Sequence, residues 1–307
     1  MQRTSALIIG IAVLVLAAVI GFLLLSPPAT EPSPSASVQP SVSTVPPASV
    51  SSDLLDRRWT VLYVGTDANE RRESDGEPVN TDALMLVSLS ADQSQLTLVS
   101  LPRDTVDLPL ADGATYEPKI NSLYREEGPE ALVGAMEALF GVPIDAHVVL
   151  DMDDFASLAG AVEGVEVSPE EPIVDPIVDL DLAAGPQTLD AAGTLGYVRT
   201  RADDDYGRME RHQEVLIALV ERLVDPESDL DLRAVLAGLD SLETDLPMDQ
   251  LPALMELARR ASDAEVNELV IQRPLITFEG DHDDGRGYIL EADVEAIRSE
   301  VQALIGE

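Results

Sequence analysis

Arg199, Arg201, Arg208 and Arg211 fall within thirteen residues, RTRADDDYGRMER, of a chain whose formal net charge is −38. Cations are scarce: 19 Lys and Arg stand against 57 Asp and Glu, and the only lysine is Lys119. Planar, permanently charged guanidinium forks suit bidentate binding of phosphate oxygens. Clustered here, they fit a ligand more negative than a carboxylate. Asp203, Asp204, Asp205 and Glu210 in the same stretch leave a second outcome open, a surface network of ion pairs. Arg208 and Arg211 lie at i, i+3 where a helix is expected to open, so they share a face. Cations in a first turn oppose the helix dipole, and an anion docked there would relieve that conflict.

Two other places offer matching chemistry. Asp67 follows one apolar run and Asp82 precedes the next. Two carboxylates held together repel unless a cation sits between them or one is protonated, and Mg²⁺ is typically held by one or two carboxylates plus phosphate oxygens. The same residues also suit ordinary turns and caps. Arg103 and Asp104 close a third apolar run, at SLPRD, where an Arg-Asp pair is also a common structural salt bridge.

The elements that must position these residues are legible from periodicity. Trp59–Gly65, Ala83–Leu89 and Leu96–Leu101 read as buried strands, the last two joined as an antiparallel hairpin through ADQSQ. Pro129–Phe140 reads as a helix with Pro in its first turn and Gly141 past its end. Ala146–Leu150 reads as a strand and Asp153–Ala161 as a helix capped by Asp151 or Asp153. An irregular Asp- and Pro-rich stretch is expected from about 166 to Gly185, then a short helix with a strand-like tail over Ala191–Arg199. Arg208–Val224 reads as an amphipathic helix with Val215, Leu216, Leu219 and Val220 on one side. Leu251–Ala261 and Ala292–Ile305 read as further helices, and a strand is expected within Val266–Phe278. This order predicts an α/β domain with a central mixed sheet flanked by helices.

The rest of the chain bears on location. Ala6–Leu25 is an uncharged apolar run, long enough to cross a bilayer as a helix of about 30 Å. Arg3 is the only charge before it, which puts residues 1–5 in the cytoplasm and the bulk outside. SPPAT is a poor cleavage site, so the run is read as an uncleaved signal-anchor. Residues 26–52, rich in Pro and Ser, read as an extended spacer. Residues 53–307 then form one domain in the cell envelope. The strong negative charge argues against nucleic acid, which needs a basic footprint. The chain has no cysteine, which excludes disulfides and Cys-metal sites, and His147, His212 and His282 are too scattered for a His-based one. No Walker loop, dinucleotide fingerprint or serine elbow occurs.

Taken together, VLYVGTDA, NTDALMLVSLS, LVSLPRDT, KINSLY, GPEAL, LFGVPIDAHVVLDMDDFASLAGAVEGVEV, GPQTLDAAGTLGYVRTR and YGRMERHQEVLIAL occur in an order that resembles the LytR-CpsA-Psr family of cell-wall glycopolymer transferases. The resemblance runs from about 60 to 225, and TDLPMDQLPALMELARRA looks like the family's helical continuation over 226–307. It implies a membrane-anchored phosphotransferase. Such an enzyme moves a glycopolymer with its linking phosphate from a polyprenyl-pyrophosphate carrier to a hydroxyl on peptidoglycan or another envelope acceptor. Carried over by motif, Asp67 and Asp82 would hold Mg²⁺ or Mn²⁺. Arg103, Arg199, Arg201, Arg208 and Arg211 would clamp the pyrophosphate, Lys119 and Gln213 would line the site, and Asp104 would be a candidate base. The family often has Arg two residues before the second Asp. Here that place is Asn80, so one cationic contact is expected to be lost or replaced. Hydrolysis of the same lipid pyrophosphates, and a non-enzymatic regulatory role, are the alternatives.

Overall fold

Three apolar runs build the middle of the molecule, and each becomes a central strand because both of its faces are covered. The computed structural model describes residues 55–68, 72, 75–224, 242–247, 250–261 and 264–306. The expected anchor at 6–25 lies outside these residues, as do the whole of the spacer over 26–52 and the part of the continuation over 225–241. Among the described residues no helix is long and apolar enough to cross a membrane.

In chain order the strands are β1 (Trp59–Thr66), β2 (Thr81–Leu89), β3 (Gln95–Ser100), β4 (Thr105–Val106), β5 (Leu108–Pro109) and β6 (Thr115–Tyr116). Helices α1 (Leu123–Glu127) and α2 (Pro129–Phe140) follow, then β7 (Ala146–Asp151) and α3 (Met152–Ala161). Next come β8 (Val165–Val167), β9 (Ile173–Asp175), β10 (Leu180–Leu182), β11 (Gln187–Leu189), α4 (Ala191–Arg199) and α5 (Asp205–Val224). The last described elements are β12 (Glu243–Thr244), α6 (Leu251–Ala261), β13 (Glu265–Val270), β14 (Ile276–His282), β15 (Gly287–Ala292) and α7 (Val294–Ile305).

Six strands form one mixed sheet in the order β12-β7-β1-β2-β3-β13. The β1/β2 and β2/β3 pairs are antiparallel, as the hairpin signal predicts, whereas β7 and β13 run parallel to β1 and β3. Side chains alternate across the pleat. Val61, Tyr63, Met85, Val87 and Leu98 point to one face, where Leu158 of α3, Val198 of α4, Val215 of α5 and Leu254 of α6 cover them. Leu62, Val64, Leu84, Leu86 and Val99 point to the other, under Leu132 and Met136 of α2 and Ile297 and Val301 of α7. Each such side chain contributes about 1.5–3 kcal/mol by leaving water.

The helix ends follow local chemistry. Pro129 opens α2, and Gly141 ends it at φ 71°. The Asp151 carboxylate caps α3 by accepting from the Asp154 amide at 2.7 Å. Four expectations change. The segment Ala191–Arg199 is helical throughout, with Asp190 as its cap, so Arg199 sits in a last helical turn and not in a strand-like tail. Helix α5 starts at Asp205, three residues before Arg208, because Asp204 accepts from the Gly207 amide at 2.8 Å and so acts as the cap. The stretch expected to be irregular contains the β9/β10 hairpin, and the final helix starts at Val294 because Ala292 ends β15.

Gly164 links α3 to β8 at φ +93°, and a Cβ there would lie 2.5 Å from the Leu189 carbonyl oxygen, a backbone atom that cannot swing away. Gly164→Ala is therefore expected to cost more than about 1 kcal/mol of stability, read as a lower denaturation midpoint with an unchanged slope.

Candidate pyrophosphate and metal site

The carboxyl ends of β1 and β3 and the start of β2 meet at one edge of the sheet. Asp67 leaves β1 just past a bulge at Gly65/Thr66, and Asp82 is the second residue of β2. The two segments are locked by reciprocal bonds: the Asp67 amide donates to the Asn80 carbonyl at 3.0 Å, and the Asn80 amide donates to Asp67 Oδ1 at 2.7 Å. Pro102 ends β3, and Arg103 turns back so that its Nη1 donates to Asp82 Oδ1. Asp104 pairs with Lys119 Nζ at 3.1 Å.

Helix α5 completes the cluster from its first turns. The Arg208 side chain is only 2% exposed. Its Nε donates to Asp205 Oδ1 at 3.0 Å, and its Nη1 donates to the Asp82 carbonyl at 2.8 Å. Arg201, about half exposed, faces Asp205 at 3.7 Å. Four cations (Arg103, Arg201, Arg208, Lys119) thus meet three carboxylates (Asp82, Asp104, Asp205), a local excess of positive charge in a strongly acidic chain. Buried Arg103 Nε and Arg208 Nη2 make no aligned hydrogen bond, and neither does Asp205 Oδ2, although the two nitrogens face Asp104 at 3.7 Å and Asp205 at 2.9 Å as ion pairs. Donors left unmade at a buried guanidinium are costly. An anion's oxygens would satisfy them.

The titration shifts describe the same field. Burial lowers the Arg201 value, and the neighbouring Arg103 and Arg208 charges lower it further. Burial works against ionising Asp82, but Arg103 and Arg208 outweigh it and hold the carboxyl below its usual range. Asp67 is raised, first by burial and then by the Asp82 charge, against the Asn80 amide, Arg72 and Arg103. A strained carboxylate beside a second carboxylate fits a hard divalent cation. Among the described residues no group of three or more acidic, His or Cys side chains forms a complete metal cage.

The other expected residues lie elsewhere. Arg211, three residues from Arg208, turns back into the fold: Nε donates to the Tyr197 carbonyl at 2.9 Å, Nη2 to the Thr200 carbonyl at 2.7 Å, and Nη1 to Asp203 at 2.6 Å. It braces the loop that carries Arg201. Gln213 is buried and donates to Ser100 Oγ at 2.8 Å, under the end of β3. Arg199 is exposed and shares no described hydrogen bond or ion pair with the cluster. Three contributors were missed. Asp205 holds both Arg201 and Arg208, and its spacing of three residues from Arg208 was the available signal. Arg72 pairs with Asp67 at 2.6 Å, and Arg125 Nη1 donates to Asn80 Oδ1. Two cations, Arg125 from α1 and Arg72 from the segment between β1 and β2, thus return to the place where Asn80 stands, and no local pattern announced either. A cavity of about 970 Å³ lies beyond Arg211 and Asp203. It is lined by Glu170, Glu210, Glu214 and Glu268, and it is not the cationic cluster.

The LytR_cpsA_psr family model matches residues 33–302. Over 270 residues the chain is 30% identical to the probable cell wall biosynthesis protein LcpB of Corynebacterium glutamicum, covering 83% of this chain and 63% of that protein. It is 26% identical over 229 residues to the polyisoprenyl-teichoic acid–peptidoglycan teichoic acid transferase TagV of Bacillus subtilis, covering 71% and 58%. The chain thus spans less than two thirds of the length of these curated relatives. Among solved structures, B. subtilis TagV superposes with a TM-score of 0.62 at 23% identity, over 81% of this chain and 98% of that one. TagT bound to LIIa-WTA gives 0.63 at 22%, over 83% and 93%. The shared fold is a mixed sheet between helices.

The opposite shifts of Asp67 and Asp82 have opposite consequences for stability. A depressed carboxyl stabilises the fold above its unfolded value, about 4, and loses that contribution as pH falls through the folded value. A raised one destabilises at neutral pH and is relieved by acid. Asp82→Asn is expected to lower stability by about 2 kcal/mol at pH 7, while Asp67→Asn leaves it unchanged or raises it. Thermal melts at pH 7 and pH 3 check both signs, the differences shrinking in acid.

Proposed function

We propose that this chain, which belongs to the LytR-CpsA-Psr family, is a membrane-anchored phosphotransferase acting outside the cytoplasm. It moves a glycopolymer with its linking phosphate from a polyprenyl-pyrophosphate carrier to a hydroxyl on peptidoglycan or another envelope acceptor. One observation carries the reading: two buried guanidinium groups keep N–H donors without an aligned hydrogen bond in a cluster whose excess charge is positive, inside a chain of net charge −38. Such a site calls for a ligand of high negative charge density. The uncharged run at Ala6–Leu25 supports the anchor.

Phosphoryl transfer needs positioning and charge stabilisation more than covalent help. Arg103 and Arg208 hold the pyrophosphate from below, where neither can relax away, and Arg201 closes over it from the loop braced by Arg211. The acceptor oxygen forms a bond to the phosphorus that bears the glycan. The bridging P–O bond breaks, and its electron pair leaves with polyprenyl phosphate. The guanidinium groups bind the charge that builds on the bridging and leaving oxygens. Asp104, kept in place by Lys119, accepts the hydroxyl proton. Asp67 and Asp82 would hold Mg²⁺ or Mn²⁺, which when bound supplies further charge neutralisation to the phosphate oxygens.

Arg201→Ala is expected to lower transfer roughly 10²-fold or more while the melting temperature stays near that of the wild type, since this side chain is half exposed. Product analysis by mass spectrometry reads the reaction itself. Phosphate retained in a new glycan linkage is the expected outcome, and free phosphoglycan with no linkage would instead mean hydrolysis.

A further inference from the structure

Tyr288 is one of three large hydrophobic side chains that stand exposed among the described residues, at 45%. Its position is not arbitrary. Strand β15 pairs in parallel with β4, Leu290 opposite Thr105, and the Leu290 amide donates to the Asp104 carbonyl at 3.1 Å. Tyr288, two residues back along β15, lies close enough to the cluster to feel the Asp104 and Asp205 charges. Across from it Tyr206 follows directly on Asp205, the residue that holds Arg201 and Arg208. The two phenols converge on one carboxylate: Tyr206 OH donates to Glu279 Oε2 at 3.2 Å, and Tyr288 OH donates to Glu279 Oε1.

We infer that the Tyr206–Glu279–Tyr288 cluster is a carbohydrate subsite that seats one sugar ring beside the phosphate being transferred. The chemistry selects against the other parts of the substrates. Glu279, which holds the two phenols, repels a phosphate. A half-exposed phenol held to a carboxylate is also too polar for a lipid tail. A sugar ring suits both features, its C–H face lying on the aromatic ring and its hydroxyls donating to carboxylate oxygens. A carboxylate has about four lone-pair sites, and the two phenols use two of them. Burial, Glu279 and then the Asp104 and Asp205 charges push the Tyr288 phenol up to about 12, so it stays a hydrogen-bond donor.

The cluster is also held in advance of binding, which lowers the ordering cost of a weak ligand. Arg286, in the turn of the β14/β15 hairpin, donates to Asp107 at 2.9 Å and to the Glu117 carbonyl at 3.0 Å. At the hairpin's other end the Asp293 amide donates to the Leu275 carbonyl at 2.9 Å.

This subsite rests on the proposed transfer reaction, and the sugar could belong to the acceptor or to the first residue of the donor glycan. Titrations of the full chain in detergent separate these sources, using tetra-N-acetylchitotetraose as the acceptor probe and polyprenyl pyrophosphate with and without one N-acetylhexosamine as donor probes. Tyr288→Ala is expected to weaken the tetrasaccharide roughly tenfold, Tyr288→Phe much less, and neither to change binding of the sugar-free pyrophosphate. Should Tyr288→Ala weaken only the sugar-bearing pyrophosphate, the ring seated here is the donor's and the subsite stands. A wild type that binds neither sugar, or Tyr288→Ala and Glu279→Gln variants that bind both as it does, overturns the subsite. A wild type that fails to bind the sugar-free pyrophosphate strikes at the reaction, while the tetrasaccharide still reads the cluster by itself.

Discussion

The guanidinium of Arg208 has almost no contact with solvent, and much of the site follows from that. A buried cation must be met by charge and by hydrogen bonds, or its desolvation is uncompensated. Asp205 and the Asp82 carbonyl meet it in part, and in doing so they tie the first turns of α5 to the start of β2. Asp82 in turn holds Arg103 at the end of β3. The carboxyl edge of the sheet and the helix that covers it are thus joined through one side chain. Arg208 Nη2 and Arg103 Nε are met only by ion pairs, to Asp205 and Asp104, and not by aligned hydrogen bonds, so an anion's oxygens would complete them.

Charge explains why this works in so acidic a chain. The wider surface repels anions, so a phosphate is favoured only where cations outnumber carboxylates at short range. The paired aspartates sit at the rim of that region with different roles. Asp82 is stabilised in its charged form by its guanidinium neighbours, whereas Asp67 carries the burial and the repulsion. Functional sites often hold one such unfavourable group, whose cost is relieved when a ligand arrives.

The parts of the fold that were legible in the sequence are those with a strong local signature. β1, β2 and β3 show as continuous apolar runs because both of their faces are covered, and α2 and α3 are bounded by Pro129, Gly141 and Asp151, whose capping chemistry is local. The start of α5 was obscured because a run of aspartates reads as loop, although Asp204 is the cap. The β14/β15 hairpin was hidden by its glycines and acids and by a pairing with β4, far away in sequence, that only the tertiary fold reveals. The site shows the same division. Motif order brought Asp67, Asp82, Arg103, Asp104, Lys119, Arg201 and Arg208 to one region. The spacing of Arg208 and Arg211 could not tell which of them joins the cluster, because that depends on what each meets: a carbonyl of β2 for one, and the Tyr197–Asp203 segment for the other. Arg125 reaches the site from the short helix α1 and Arg72 from the segment between β1 and β2, where no long periodicity points inward.

The entry of the chain into the domain has a mechanical consequence. Arg57 stacks over Trp59 and pairs with Asp145, Gln93 donates to the Leu55 carbonyl, and Arg58 donates to the Ile305 and Gly306 carbonyls at the end of α7. The strand that follows, β1, is central and hydrogen-bonded along both edges. A pull transmitted from the preceding residues would load those ladders in shear, with many bonds resisting together, and would share the force with the last helix through Arg58. Such tension would spread along the length of β1, whose ladders to β2 and β7 would bear it together, as in a splice and not as in a knot.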